Sequence, residues 1–430
     1  MRTGGLSVEI TNIRTAVIGG GPSGYCAAIA CARATGRGSV MILEKQPRTG
    51  RKLLATGNGR CNISNENVSP EHYHGDRVIA ESVLRSFSVS DMKDFFGSLG
   101  VLLRSDQEGR IYPCSNQAVT ILDGLKRECS ALGVIERCSF MPRSIKKDKN
   151  GFLITSDDAQ VHCQRLVLAA GSKAAPQLGA DGSGYALLKG LNIRCSELFP
   201  ALCPVSTAEK YKALKGVRAK GRVTLLSDGR PVAGTEGEIQ FTDGGISGIC
   251  VFELSRKVNG FFLDGKVDGA ICKRIQIAAD VMSGIGFNEL CGYLEGCRRV
   301  FYNDKAGELL SGALNVQLSR VIAKACALSD KSCGELGSRD IKQLAACAKK
   351  LIFTPDRMGE FGSAQVCAGG VGSDEIDPHT LMSRKHKGLF VCGELLDVDG
   401  DCGGFNLHFA VGSGLMAGRS ASAGQIGLHY

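Results

Sequence analysis

The sequence predicts an α/β chain: a Rossmann-like dinucleotide-binding domain assembled from two separated segments, interrupted by a barrel-like β insert and a small helical domain. Three observations carry this expectation. A glycine-spaced turn joins an apolar run to a small-residue helix near the start, glycine-bearing strand ends recur at Gly171 and Gly393, and the stretch between them changes character twice.

The elements follow in order. Residues 15–20, TAVIGG, read as a strand, and residues 25–34, YCAAIACARA, as a helix of small residues fit for close packing. The run SVMILEK at 39–45 follows the helix-ending Gly36 and Gly38 and completes a parallel βαβ unit. The opening MRTGGLSVEITN has neither the basic stretch nor the apolar core of a secretory signal and reads as a loose leader. The spacing of Val119, Ile121, Leu122, Leu125 and Leu132 predicts a crossover helix, after which RLVLAAG at 165–171 returns as a buried strand. From about 197 to 280 the chain is glycine-rich, with alternating runs such as GRVTLLSDGRPVAGT turning at Asp228 and Gly229, the pattern of an antiparallel sheet or small barrel. Residues 281–348 contain no proline and show helical spacing in LNVQLSRVIAKACAL and DIKQLAACAKKL. Glycine-rich α/β character then resumes, with GLFVCGE at 388–394 as a strand and FAVGSGLMAGRSA as a helix. The expected organisation is therefore a first nucleotide-binding segment at 13–196, a β-rich insert at 197–280, a helical insert at 281–348, a return strand of the insert at 349–366, and the second nucleotide-binding segment at 367–430.

Composition narrows the function. With 43% hydrophobic and 22% charged residues and no long apolar run, the chain reads as globular and not membrane-spanning. Its 19 cysteines are scattered and form no CxxC pair, and several sit in apolar or small-residue segments, as Cys26, Cys31 and Cys392 do; reduced thiols in a cytoplasmic protein are expected, with no metal site. The net charge of +9 is spread among interspersed acids without a basic block, so no nucleic-acid partner is expected; a small-molecule substrate is.

In GGGPSG, Gly19, Gly21 and Gly24 hold the GxGxxG spacing, with Pro22 and Ser23 between them. Gly19 permits the tight turn, Gly21 lets the backbone approach a pyrophosphate, and Gly24 lets helix pack on strand, which brings the phosphate to the helix N-terminus. Glu44, twenty residues after Gly24, is placed to accept hydrogen bonds from a ribose diol. Distant glycine-bearing strand ends, LVLAAGSKAAP at Gly171 and GLFVCGELLDVDGDCGG at Gly393 and Glu394, point to FAD, because a nicotinamide site needs only the local βαβ unit. Arg51 and Lys52 are expected at the FAD phosphates or the adenosine end. The TGNGRCN loop, with Asn58, Arg60, Cys61 and Asn62, is expected to bring amides and backbone N–H groups near the flavin or the pyrophosphate.

RKLLATGNGRCNISN, GRIYPCSNQA, FTDGGISG, the AGGV after Cys367 and GELLDVDGDCGGFNLHFAVGSG occur together and in order. In these blocks, from about Thr15 to Ala417, the chain resembles the HI0933-like family of FAD-dependent flavoproteins, which includes bacterial bile-acid reductases, within the glutathione-reductase-like superfamily. The resemblance implies that Glu394 and Asp397 lie near the ribityl and pyrophosphate of FAD, and that the helix starting near Asn406 and Leu407 faces the flavin pyrimidine edge. It also implies an FAD domain interrupted by a barrel-like and a helical insert. Two departures stand out: Gly171 to Pro176 lack the aromatic that relatives carry after the second fingerprint, and Asp243 replaces a usual histidine.

The expected chemistry is transfer of hydride from NADH or NADPH through non-covalent FAD to the C=C of a conjugated enone such as a 3-oxo-Δ4 bile acid or steroid. Protonation beside the carbonyl and stabilisation of the enolate oxygen need donors, for which His408, Tyr112 and Arg60 are the candidates. An amine oxidase is the alternative among flavoenzymes, and a flavin-dependent tRNA-modifying or RNA-binding protein the alternative of another class. Cys61 has no second cysteine at redox spacing, which argues against a thiol relay.

Overall fold

The computed structural model describes residues 10–263 and 274–423. The chain forms two compact units, one of residues 1–199 with 366–430 and one of residues 200–365.

The first unit is built on a seven-stranded sheet. Its first strand, Ile10–Ile18, lies between Val40–Leu43 and Gln160–Leu168, parallel to both, and Val40–Leu43 pairs in turn with Ile135–Arg137. Leu389–Val391, from the far end of the chain, joins parallel to Leu166–Leu168. The sheet register thus sets the two distant segments side by side. The first strand begins earlier than its apolar run: Ile10–Asn12, expected as leader, pair with Gln160–His162. Residues 1–9 lie outside the described residues. The hairpin Ser144–Lys147 and Phe152–Thr155 adds two antiparallel strands. The helices Pro22–Thr35 and Ala118–Ala131 fall where their spacing predicts them. Among the helices with no reading in the sequence are Arg77–Ser86, capped by the Asp76 carboxylate, and Val89–Ser98, opened by a Ser88–Asp91 capping box.

In the second unit six antiparallel strands run in the order Val205–Ser206, Gly245–Ser247, Arg230–Thr242, Arg218–Ser227, Ile275–Asp280 and Leu351–Phe353. Asp228 at φ 49° and Gly229 at φ 77° make the tight turn between the two long strands. The last strand closes toward the first: Thr207 bridges Pro355, Ala208 N–H donates to Thr354 O at 2.8 Å and Asp356 N–H to Ser206 O at 3.1 Å. Pairing across the seam removes the sheet's open edges, which gives a barrel. The stretch expected to be β-rich also holds a helix, Ile249–Leu263, whose Val251, Leu254 and Val258 are buried in the core with Phe241 and Phe353. The helices Phe287–Val300, Val316–Ala325 and Ser338–Lys349 fill the predicted helical stretch.

Candidate functional site

The first helix starts where the first strand ends, and Gly19 makes the turn at φ 110°. A Cβ on Gly19 would stand 2.3 Å from Ala169 O and one on Gly24 1.9 Å from Gly19 O, so both positions exclude any side chain. Around Gly21 a Cβ would meet nothing within 4 Å. The turn is thus packed on both flanks and open in the middle. Gly21 supplies no side-chain cap, so first-turn N–H groups of the helix face this opening unsatisfied, at the positive end of its dipole. Glu44 edges the opening: Oε2 accepts from Gly20 N–H at 2.7 Å and Oε1 from Gln46 N–H at 2.8 Å. These bonds fix the carboxylate, and each oxygen keeps a second lone pair for a diol.

The last helix, Phe405–Ser422, packs on the first through glycines. A Cβ on Gly414 would lie 2.3 Å from Ser23 O, and one on Gly418 2.2 Å from Ala27 O. Because both contact pairs advance by four residues in the same direction, the helices run parallel with backbone against backbone. Gly414 is level with Ser23, so the last helix extends eight residues, or about 12 Å at 1.5 Å per residue, beyond the start of the first at Pro22. The two N-termini point the same way, offset by the order of distance that separates the pyrophosphate of FAD from its flavin ring.

The second N-terminus is also uncapped. Gly404, at φ 102°, provides no side-chain cap, and the Asn406 amide turns back to bond Gly400 N–H at 2.8 Å and Gly400 O at 2.7 Å. Asn406 and Leu407 can therefore offer backbone N–H groups, while the Asn406 side chain is already committed. Beside Gly404 lies Asn62 Oδ1, 2.8 Å from where a Gly404 Cβ would stand, buried and without a hydrogen-bond partner. A buried orphan acceptor beside unsatisfied donors is the mark of a missing polar ligand. The residues present therefore fit FAD, with phosphates at the first helix and the flavin pyrimidine at the last.

The remaining expected residues divide. Glu394 links three chain segments: Lys52 Nζ lies 2.6 Å from its Oε2, Ser172 donates to the same oxygen at 2.7 Å, and Tyr185 donates to its carbonyl at 2.9 Å. Lys52 is thus held beside the second and third glycine-bearing strand ends by an internal partner, and Arg51 bonds Gln46 Oε1 at 2.6 Å. Gly393 packs on Ser23, whose Oγ a Cβ would approach to 2.5 Å, while Gly171, at φ 75°, turns the chain away from its strand. Asp397 accepts from Ser196 at 2.7 Å and does not stand free toward the opening. In the loop after Lys52, Gly57, Asn58, Gly59 and Cys61 all have positive φ. Arg60 there lies over the Tyr112 ring at 5.1 Å, bringing two expected donors together.

Two expected contacts are corrected by burial. The Cys61 side chain is wholly enclosed in the core, and burial pushes its thiol up to about 12. Only its backbone can serve a ligand. His408 is also fully buried, with Nδ1 2.8 Å from Ser64 Oγ and Nε2 3.1 Å from Phe87 O. The carbonyl can only accept, so Nε2 carries the proton and Nδ1 accepts from Ser64. Burial pushes this imidazole down to about 4, outweighing the bond to Phe87. It is a neutral structural group that ties the last helix to neighbouring segments. The eighteen cysteines among the described residues form no disulfide, and no group of three or more potential metal ligands occurs among those residues.

The family model for the HI0933-like protein Rossmann domain matches residues 13–420. The chain belongs to this family. It is 36% identical to the 3-dehydro-bile acid delta(4,6)-reductase of Clostridium scindens, over 95% of this chain and 99% of that one. It is 28% identical to the ribosomal RNA dihydrouridine synthase of Escherichia coli, over 92% of this chain and 94% of that one. Among solved structures, the Sdh1 complex of Mycobacterium smegmatis in its apo form is similar in fold, with TM-score 0.50 and 15% identity over 98% of this chain and 70% of that chain. The HI0933-like chain thus carries a Rossmann-like FAD-binding fold, and among the described residues no helix is long and apolar enough to cross a membrane.

Sequence reading of this HI0933-like chain left out Ser172, Tyr185 and the pair His72 and His74. The H-x-H spacing in EHYHGD was the available signal, but nothing local indicated that Asp401 would meet it.

Proposed function

We propose that the protein is a flavin-dependent reductase of carbon–carbon double bonds conjugated to a carbonyl, holding FAD without a covalent link and drawing electrons from NADH or NADPH. The observation that carries the cofactor is the pair of parallel, uncapped helix N-termini set apart by the Gly414 and Gly418 contacts, with Asn62 Oδ1 unpartnered between the elements that meet there. FAD held there supplies hydride transfer. The chain's own part is to position the substrate and to place donors at its carbonyl, a role that suits the exposed Arg60 guanidinium, which lies over the ring of the buried Tyr112.

The substrate class rests on the two relatives. Both names describe saturation of a double bond conjugated to a carbonyl, in a 3-oxo steroid skeleton or in a uracil ring. Neither describes amine oxidation. The steroid-like enone is preferred, because the bile-acid reductase is the more similar and because the basic strand Arg218–Ser227 is neutralised by its neighbour. Arg218 pairs with Glu238 at 3.1 Å, and the ladder sets Glu238 and Glu236 opposite Lys220 and Arg222. Such a surface offers little counterion release to a nucleic acid.

The test is anaerobic. Protein reduced by NADH or NADPH should be reoxidised by a 3-oxo-Δ4 steroid and release FAD on acid precipitation. Reoxidation by a uridine-containing RNA fragment alone would move the substrate to RNA, and reoxidation by neither would refute the reading.

A further inference from the structure

His72 and His74 flank Tyr73 at the strand Tyr73–Gly75, which pairs antiparallel with Val398–Gly400 so that His74 faces Asp399 and Tyr73 faces Gly400. The two-residue period puts His72, His74, Asp399 and Asp401 on one face of this ribbon. It turns Tyr73 to the other, where its hydroxyl donates to Phe405 O at 3.0 Å. Asp401 N–H extends the ladder by donating to His72 O at 2.9 Å. The Asp401 carboxylate then takes both imidazoles, His72 Nδ1 at 3.0 Å on Oδ2 and His74 Nε2 at 2.8 Å on Oδ1. Burial alone would raise this carboxyl, and the bonds from His74 and His72 outweigh it and hold it below the usual carboxylate range.

An ionised carboxylate only accepts, so the bound nitrogens carry protons and the tautomers are fixed. His72 Nε2 and His74 Nδ1 have no protein partner among the described residues, and each side chain is about one-third exposed, at 36% and 34%. The position of the cluster matters as much as its bonding. Asp401 opens the turn that ends at Gly404, the uncapped start of the last helix, and the His72 ring stacks on Phe405, the first residue of that helix, at 4.3 Å and 18°. His408, buried and with both nitrogens bonded, is closed to proton transfer, whereas this cluster keeps an exposed edge.

We propose that His72 is the proton donor to the substrate's α-carbon, with Asp401 and His74 as its positioning residues; the proposal rests on the reductase reading above. Saturating the conjugated bond takes a hydride, two electrons originating in the nicotinamide donor, at the β-carbon and a proton at the α-carbon. The N–H bond at Nε2 of the His72 imidazolium breaks, its electron pair stays on nitrogen, and the α-C–H bond forms as the enolate charge is lost. The neutral imidazole regains its proton from water on its exposed side. Among the described residues, charged groups beside the pair are Glu71 next to His72, with Arg77 near it, and Asp399 across the ladder; the first turn of the last helix holds no acidic residue.

The test combines a placement readout with a kinetic one. In protein labelled at the imidazole carbons, adding FAD to the apoprotein should move the His72 resonance by the ring current of the flavin. The signal of His162, at the opposite end of the central strands, should stay in place. His72→Gln should keep its FAD and its rate of reduction by NADH or NADPH. It should reoxidise with a 3-oxo-Δ4 steroid roughly a hundredfold more slowly. Asp401→Asn and His74→Gln should slow the reoxidation without raising the KM for the steroid and without abolishing turnover. A His72 signal unmoved by FAD, or a His72→Gln protein with the wild-type reoxidation rate, overturns the proposal. Wild-type protein that reoxidises with no enone refutes the reductase reading instead, and the resonance shift still decides whether the cluster adjoins the flavin.

Discussion

The contact of the first and last helices yields a prediction whose size follows from the geometry. Gly414→Ala places a methyl 2.3 Å from Ser23 O, where ordinary contact begins near 3.4 Å, so the helices must separate by roughly 1 Å. The obstacle is backbone in the first turn of a helix, not the end of a flexible side chain, so the overpacking cost belongs at the upper end of its range, about 3 kcal/mol. Alanine returns about 1 kcal/mol of helix propensity over glycine, which leaves a net loss of about 2 kcal/mol. The same displacement moves the N–H groups at Phe405–Leu407 away from their ligand, at about the value of one hydrogen bond, so FAD should bind roughly tenfold more weakly. Urea unfolding of the apoprotein and titration of flavin fluorescence measure the two effects separately. Gly97→Ala is the control, because Gly97 is exposed on the helix Val89–Ser98 and a Cβ there meets nothing within 4 Å. It should stabilise by about 0.5–1 kcal/mol. If Gly414→Ala gained stability as the control does and bound FAD normally, the helices would not be in backbone contact and the spacing argument for FAD would fail.

Asn62→Ala removes an orphan acceptor, so the apoprotein should keep its stability or gain up to about 1 kcal/mol while FAD binding weakens roughly tenfold; a loss of apoprotein stability would show that Asn62 is structural. His408 is pushed from 6.5 to about 4, so below pH 6.5 the unfolded chain binds a proton that the folded chain refuses. The stability present above pH 6.5 is lost as pH falls toward 4, by at most about 3 kcal/mol, and urea unfolding of His408→Gln should show a flatter pH dependence across that window. Cys61, enclosed and with its thiol pushed up to about 12, should resist alkylation at pH 8 in the folded protein. Cys61→Ser should keep at least about a tenth of kcat, a barrier change of no more than ~1.4 kcal/mol in anaerobic turnover, whereas a thousandfold loss with full flavin content would restore a thiol mechanism.

The nucleotide-binding turn was legible because its requirements are local. Gly19 and Gly24 exclude side chains through contacts with strand and turn atoms close by, and the apolar runs around them announce strand and helix through their spacing. The Asp228–Gly229 turn was legible for the same reason, since left-handed backbone at two consecutive positions restricts the residues that can occupy them. The helix Ile249–Leu263 was hidden within a glycine-rich stretch because its buried face is decided by the barrel it fills, and short apolar runs do not by themselves separate helix from strand.

The sequence by itself determined the fold class, the two-segment dinucleotide domain and the family, because these depend on residue types at fixed short spacings and on motifs recurring in order. Tertiary structure alone decided which side chains are available. Cys61 and His408 carry reactive groups in motif positions, yet packing encloses both and fills both nitrogens of the histidine. Lys52 and Glu394, far apart in the chain, meet at 2.6 Å, and Asp401 joins two histidines more than 320 residues away. Pairings of this kind leave no local trace, because the partners are brought together by sheet register and by helices that touch through glycine, and neither is encoded within a window of neighbouring residues.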